Sequence, residues 1–189
     1  MFIDKLYLIR HGETEWNKLR LLQGISDIPL NDSGIKQAES ASNLIYNNFT
    51  KINFDTIIHS PLSRAKETAK IINAQLNLPM VEIAEFRETN CGEYEGKPFL
   101  DPKVWPKWVN GERIGEGFES FEDCKSRVKI GLEKIKIYKK PLIVAHGGTL
   151  FNICTVLGVE NLPDIHFDNC VLYALENINN QWFIDEFLD

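Results

Sequence analysis

Two histidines and two arginines stand where this chain could do chemistry. Arg10, His11 and Gly12 close an unbroken apolar run, Leu6 to Ile9, and the pattern returns where Leu142 to Ala145 runs into His146, Gly147 and Gly148. A neutral imidazole is a nucleophile, and guanidinium forks grip phosphate oxygens bidentately at any working pH. Transfer of a phosphoryl group needs mainly positioning and electrostatic stabilisation of its oxygens, to which Arg10 and Arg64 are suited. Asn17 adds an amide donor, the N–H groups after Gly12 and at Gly147 add backbone donors, and Gly147 with Gly148 opens a helix beside His146. Nearby arginines penalise a further positive charge, so one histidine stays neutral to attack phosphorus while the other, if protonated, stabilises the oxyanions. The leaving oxygen needs a proton, and Glu88, in the sequence Phe86, Arg87, Glu88, is the candidate acid. A plainer reading stands beside these roles: Asn17 and Gln23 order the loop after the first strand, and Gly24 permits its turn or presents a backbone N–H.

Such residues need a frame that brings them together. Short apolar runs suit parallel strands covered on both faces, and open α/β sheets bind ligands beyond the carboxyl ends of those strands. After the first strand, Asn31, Asp32 or Ser33 caps a helix reaching about Asn48. A second strand around Thr56 to Ile58 ends at His59 and Ser60, where Ser60 as cap and Pro61 at the first helical position open a helix to about Leu76 that carries Arg64. Met80 to Ile83 reads as a short third strand. Residues 86 to 118 are irregular and rich in Gly, Pro and Trp, the kind of insertion that serves as a lid; Trp105 and Trp108 either line it or anchor it. A helix from Ser120 to Tyr138, the strand into His146 and a helix from Gly148 to Leu157 follow. Cys170 to Leu175 and Trp182 to Phe187 close the chain, as a hairpin about Asn177 to Asn180. The expected fold is α/β: a single-domain three-layer sandwich, its sheet mainly parallel with helices on both faces, and a lid-like insertion at about 95–118 that recognises the leaving group.

At 189 residues the chain suits one domain. Its net charge of -6 argues against a general nucleic-acid binder but not against a small anion held by converging arginines. The four cysteines have no C-x-x-C spacing and are expected reduced and mostly buried. No apolar run approaches the roughly 20 residues that cross a bilayer, and no basic, apolar leader precedes the first strand. A cytoplasmic protein without membrane or nucleic-acid partners is expected.

The residues also carry a family likeness. RHGETEWN (Arg10 to Asn17), GISDIPLNDSGIKQA (Gly24 to Ala38), SPLSRAKETA (Ser60 to Ala69), FRETNCGEYEG (Phe86 to Gly96) and AHGG (Ala145 to Gly148) resemble, in order, the motifs of the histidine phosphatase superfamily, the phosphoglycerate mutase-like proteins. The resemblance implies that His11 is phosphorylated on a ring nitrogen, that Arg10, Asn17, Arg64 and His146 hold the phosphate, and that Glu88 shuttles the proton. With Gln23, Gly24 and Gly147 as further phosphate contacts, the site is complete without metal or other cofactor. The chain departs from the pattern at Phe86 and Tyr94, where the family often has Leu and Trp, and at Thr149, Leu150 and Phe151, where an arginine often follows the second histidine. The implied activity is hydrolysis of a small phosphorylated metabolite. The alternatives are a cofactor-dependent phosphoglycerate mutase, whose glycolytic forms are generally longer, an α-ribazole phosphate phosphatase in particular, or a non-catalytic phospho-ligand sensor.

Overall fold

Strand β1 (Lys5–Arg10) feeds two cores at once: Leu6 and Leu8 enter one, Tyr7 and Ile9 the other, and all four are at most 1% exposed. That period of two, apolar on both faces, is the signature of a strand covered on each side. The computed structural model describes residues 5–99, 104–159, 162 and 167–186. After β1 come α1 (Glu15–Lys18), α2 (Asp32–Asn47), α3 (Phe49–Ile52), β2 (Thr56–His59), α4 (Ser63–Asn73) and β3 (Met80–Glu82). Two 3-10 turns, Ala84–Phe86 and Gly92–Tyr94, lead to α5 (Val104–Val109) and α6 (Phe121–Ile135). The chain then runs through β4 (Pro141–Ala145), α7 (Gly147–Leu157), β5 (Leu172–Ile178) and β6 (Gln181–Glu186).

The described strands form one sheet in the order β3-β2-β4-β1-β5-β6. The first four are parallel, and β5 and β6 join antiparallel, so the sheet is mainly parallel with an antiparallel edge. Helices α6 and α7 cover one face, burying Val128, Leu132, Ile135, Leu150 and Ile153; α2, α3 and α4 cover the other with Ala41, Ile45, Ile52, Ala65 and Ile72. This is the expected sandwich. The closing hairpin turns through Asn179 and Asn180, both left-handed at φ 55° and 66°, the backbone that a tight two-residue hairpin requires. No helix among the described residues is long and apolar enough to cross a membrane.

Two local expectations need correction. Ser60 does not cap α4, which begins at Ser63 with Leu62 at the capping position and no side-chain cap; the Ser60 hydroxyl is engaged elsewhere. The irregular stretch also has structure of its own. The bridge Leu21↔Pro98 ties it to the loop after β1, and the bridge Cys91↔Phe118 closes it on itself. Trp108, 3% exposed, packs on Phe121 and donates its indole N–H to Glu119 O, so it anchors this segment, whereas Trp105 stacks on Trp108 and Phe151 and stays 46% exposed.

Candidate active site

Strands β1 and β4 lie side by side with Arg10 opposite Ala145, so the residues that follow them, His11 and His146, emerge together at the carboxyl edge of the sheet. The ring centroids are 5.1 Å apart at 61°, and His11 N donates to Ala145 O. Neither histidine is more than 2% exposed. One turn into α4, Arg64 is fully buried and reaches the same point. The two His-Gly sequences, 135 positions apart (146 − 11), meet because of strand order alone.

The protonation of His11 follows from its partners. Its Nδ1 lies 2.7 Å from Gly12 O, which only accepts, and its Nε2 lies 3.2 Å from Arg64 Nε, which only donates. The neutral ring therefore carries its proton on Nδ1 and leaves the Nε2 lone pair on the arginine side. Burial first, and then the charges of Arg64 and Arg10, hold the His11 pKa well below the ordinary 6.5. A neutral nucleophilic nitrogen is the resting state.

Arg64 is held as firmly. Its Nη1 donates to Ser26 O and its Nη2 to Gly24 O, each at 2.8 Å. Burial lowers its pKa to about 10, which leaves it charged at neutral pH. Arg10 donates through Nη1 to Phe167 O, but its Nε is buried without a partner among the described residues. His146 shows the same pattern: Nε2 meets Ser60 Oγ at 2.7 Å while the buried Nδ1 has no partner there. Burial, then Arg64, the His11 ring and Arg10, keep His146 well below 6.5 too, so in the ligand-free site both rings are neutral. A protonated second histidine, the condition attached to oxyanion stabilisation, is not the resting state.

Glu88 comes in from the segment after the first 3-10 turn. Its carboxylate accepts from Thr89 N at 2.8 Å, from Gly148 N at 3.1 Å and from Thr149 Oγ1 at 3.4 Å, which sets it against the N-terminus of α7. It is the largest charge countering burial at both Arg10 and Arg64, which places all three in one pocket. The segment is braced from behind by Arg127, which donates to Glu85 O and Arg87 O and pairs with Glu119 through two nitrogens at 2.9 and 3.0 Å.

The structure thus gathers Arg10, His11, Arg64, Glu88, His146 and Gly147 at one sheet edge. Asn17 is placed in a capping box at α1, its Oδ1 accepting from Thr14 N and Thr14 Oγ1, and makes no hydrogen bond to either histidine. Gln23 is 8% exposed with its Oε1 unpartnered among the described residues. Gly24, left-handed at φ 52°, offers Arg64 its carbonyl. Thr149 hydrogen-bonds Arg87 O, and Leu150 is core, so α7 carries no guanidinium at those positions. Among the described residues no three His, Cys, Asp or Glu side chains gather as a metal site would need. Burial pushes the thiols of Cys124 and Cys170 up to about 12, which disfavours a thiolate nucleophile.

Sequence reasoning passed over two supports. Glu95 Oε1 accepts from Ile25 N at 2.9 Å and Cys91 N at 3.1 Å, while Oε2 accepts from Ser26 N at 3.0 Å and from Ser26 Oγ. It pins the loop whose carbonyls hold Arg64, yet in sequence it is one glutamate among several near Glu88. Ser60 was legible only as a helix cap. Its partner is 86 residues away.

Comparison with known proteins gives the same direction. The family model described as histidine phosphatase superfamily (branch 1) matches residues 6–189. An uncharacterized phosphatase of Bacillus subtilis, PhoE, is 37% identical over 186 residues, covering 95% of this chain and 92% of its own. A Yersinia pestis protein named "Probable phosphoglycerate mutase GpmB" is 35% identical over 192 residues, covering 94% and 87%. The solved α-ribazole phosphatase of Shigella flexneri superposes with a TM-score of 0.78 at 27% identity, covering 98% of this chain and 96% of that one.

Proposed function

The chain belongs to the histidine phosphatase superfamily (branch 1), and from that premise we propose that it hydrolyses a small phosphomonoester through a phosphohistidine on His11. One observation carries the reading. Arg10 Nε and His146 Nδ1, both buried and both without a partner among the described residues, belong to the pocket that holds the bare Nε2 of His11. A buried polar group left unpaired costs about 1–3 kcal/mol, and a ligand that pairs both removes that cost. A phosphoryl group fits. Its oxygens accept from Arg10, His146 and the free N–H of Gly147 at the start of α7, and Arg64 Nε–H turns from His11 to a phosphoryl oxygen as phosphorus approaches Nε2.

The chemistry then balances in two steps. The Nε2 lone pair forms an N–P bond as the P–O bond to the leaving group breaks in line, and the departing oxygen takes from Glu88 the proton that the phosphomonoester monoanion handed to this carboxylate on binding. Water next attacks phosphorus and yields a proton to Glu88, the N–P bond breaks, and inorganic phosphate leaves with His11 neutral again. Asn17, Gln23 and Gly24 support the loop side of this pocket. The segment of about 95–118, with Trp105 at its surface, covers the leaving group. We take the enzyme to be cytoplasmic and metal-independent, since arginines and a helix terminus supply the positive field a cation would otherwise provide.

Quenching turnover of a 32P-labelled phosphomonoester and mapping the label tests this. Acid-labile phosphate on His11 is expected, and label elsewhere, or none, would overturn the reading. The likeness to a mutase-named relative makes isomerisation the second reading. With 3-phosphoglycerate and 2,3-bisphosphoglycerate as primer, release of inorganic phosphate should outpace formation of 2-phosphoglycerate. A screen that includes α-ribazole phosphate and sugar phosphates then ranks the leaving groups.

A further inference from the structure

The strand order that joins the two histidines also places a third residue beside them. Strands β2 and β4 are parallel neighbours with His59 opposite Val144, and Ser60 N donates to Val144 O, so Ser60 follows β2 as His146 follows β4. Both are wholly buried, and Ser60 Oγ meets His146 Nε2 at 2.7 Å. Among the described residues the hydroxyl has one further contact, an N–H from Leu62 at 3.3 Å, which only donates.

The proton count then decides the tautomer. A hydroxyl offers one proton and two lone pairs. With one lone pair used by Leu62 N, a proton on His146 Nε2 would fill the other and leave the hydroxyl proton with no acceptor among the described residues. Nδ1 would then turn a lone pair, rather than a proton, toward a phosphoryl oxygen. If the hydroxyl instead donates to Nε2, both the hydroxyl proton and Nε2 are paired, and Nδ1 bears the proton that a ligand oxygen can accept. We propose that Ser60 is a positioning residue that holds neutral His146 as its Nδ1–H tautomer, so that an uncharged ring donates a hydrogen bond to a phosphoryl oxygen. The site thereby gains a donor without a further cation beside Arg10 and Arg64. This deepens the phosphate-binding reading and rests on it.

The test reads the ring directly. Long-range 1H–15N correlation spectra of the 15N-histidine-labelled, ligand-free protein near neutral pH, assigned by His146→Gln, should show His146 protonated on Nδ1 and bare on Nε2. A proton on Nε2, or on both nitrogens, would overturn the proposal, and if His146→Gln fails to fold, substituting the other three histidines assigns the same wild-type spectrum by elimination. In Ser60→Ala the proton should move to Nε2 in part or entirely and inorganic phosphate should bind about tenfold more weakly, with Ser60→Thr restoring both. Unchanged ring shifts and phosphate affinity in Ser60→Ala would equally sink it. Because the tautomer is read without turnover, an Nδ1–H ring in a protein lacking phosphatase activity would remove the proposed function and leave this assignment standing.

Discussion

Arg64 Nε donates to His11 Nε2 across 3.2 Å while its two terminal nitrogens are taken by the carbonyls of Gly24 and Ser26. The guanidinium is thus aimed before any substrate arrives: a loop fixes its fork, and its Nε–H guards the nucleophilic lone pair. A charged group held in a buried site by fixed dipoles reorganises little on binding, which is how such sites stabilise developing charge.

Arg64→Lys should therefore cost more than a charge count suggests. An ammonium cannot reach two carbonyls and the imidazole in one plane, so two buried acceptors lose partners at about 1–3 kcal/mol each. Turnover of p-nitrophenyl phosphate should fall about 100-fold or more and the melting temperature should drop with it. A Lys variant that keeps both would show that the fork does not matter.

His11→Ala separates chemistry from folding. The ring is buried but belongs to none of the hydrophobic clusters, so the protein should fold while turnover falls by roughly 10⁴-fold or more. Near-normal rates in a folded His11→Ala protein would take His11 out of the reaction.

Glu95→Gln should act at a distance. It replaces an acceptor oxygen by an N–H₂ group facing the N–H groups of Ile25 and Cys91, or that of Ser26. The loop should loosen, Arg64 with it, and kcat/KM should fall about tenfold or more through the position of Arg64. Steady-state kinetics with an Asp variant for comparison reads this; wild-type constants in Glu95→Gln would refute it.

Two glycines should fail in opposite ways. A Cβ on Gly12 would sit 2.4 Å from Gly34 O, backbone against backbone, so Gly12→Ala should lower stability by about 2 kcal/mol or more in urea unfolding. A Cβ on Gly148 would sit 2.6 Å from Glu88 Oε1, the end of a side chain that can swing away. Gly148→Ala should therefore keep most of its stability and lose turnover, because the carboxylate moves. Equal stability loss in both variants would contradict this contrast.

Ligand-free stability should fall on the acid side of pH 6.5. Burial and the arginines hold both active-site histidines well below 6.5 in the folded protein, so between 6.5 and the folded values the unfolded chain binds more protons. Stability present above pH 6.5 is then lost as pH falls, at up to about 1.4 kcal/mol per pH unit for each ring. At Glu119 burial opposes ionisation but the Arg127 guanidinium outweighs it, and this carboxyl, held below 4.5, acts only in a lower window. Urea titrations from pH 7.5 to 5 should show the slope, and His11→Asn with His146→Gln should flatten it.

Much of this was written in the chain itself. Leu6 to Ile9 and Leu142 to Ala145 announced strands buried on both faces, the trio Asn31, Asp32 and Ser33 announced the start of α2 without choosing its cap, and the motifs around His11, Arg64, Glu88 and His146 named the chemistry, because periodicity, capping and short motifs are local properties. What the tertiary structure decided is everything that spans distance. The order β2-β4-β1 seats Ser60, His146 and His11 in a row, and Glu95 reaches back 70 residues to Ile25 to steady Arg64. Which nitrogen of a ring is bare, and which carbonyl turns an arginine, depends on partners that only folding brings within 3 Å or so, and no spacing along a chain encodes them.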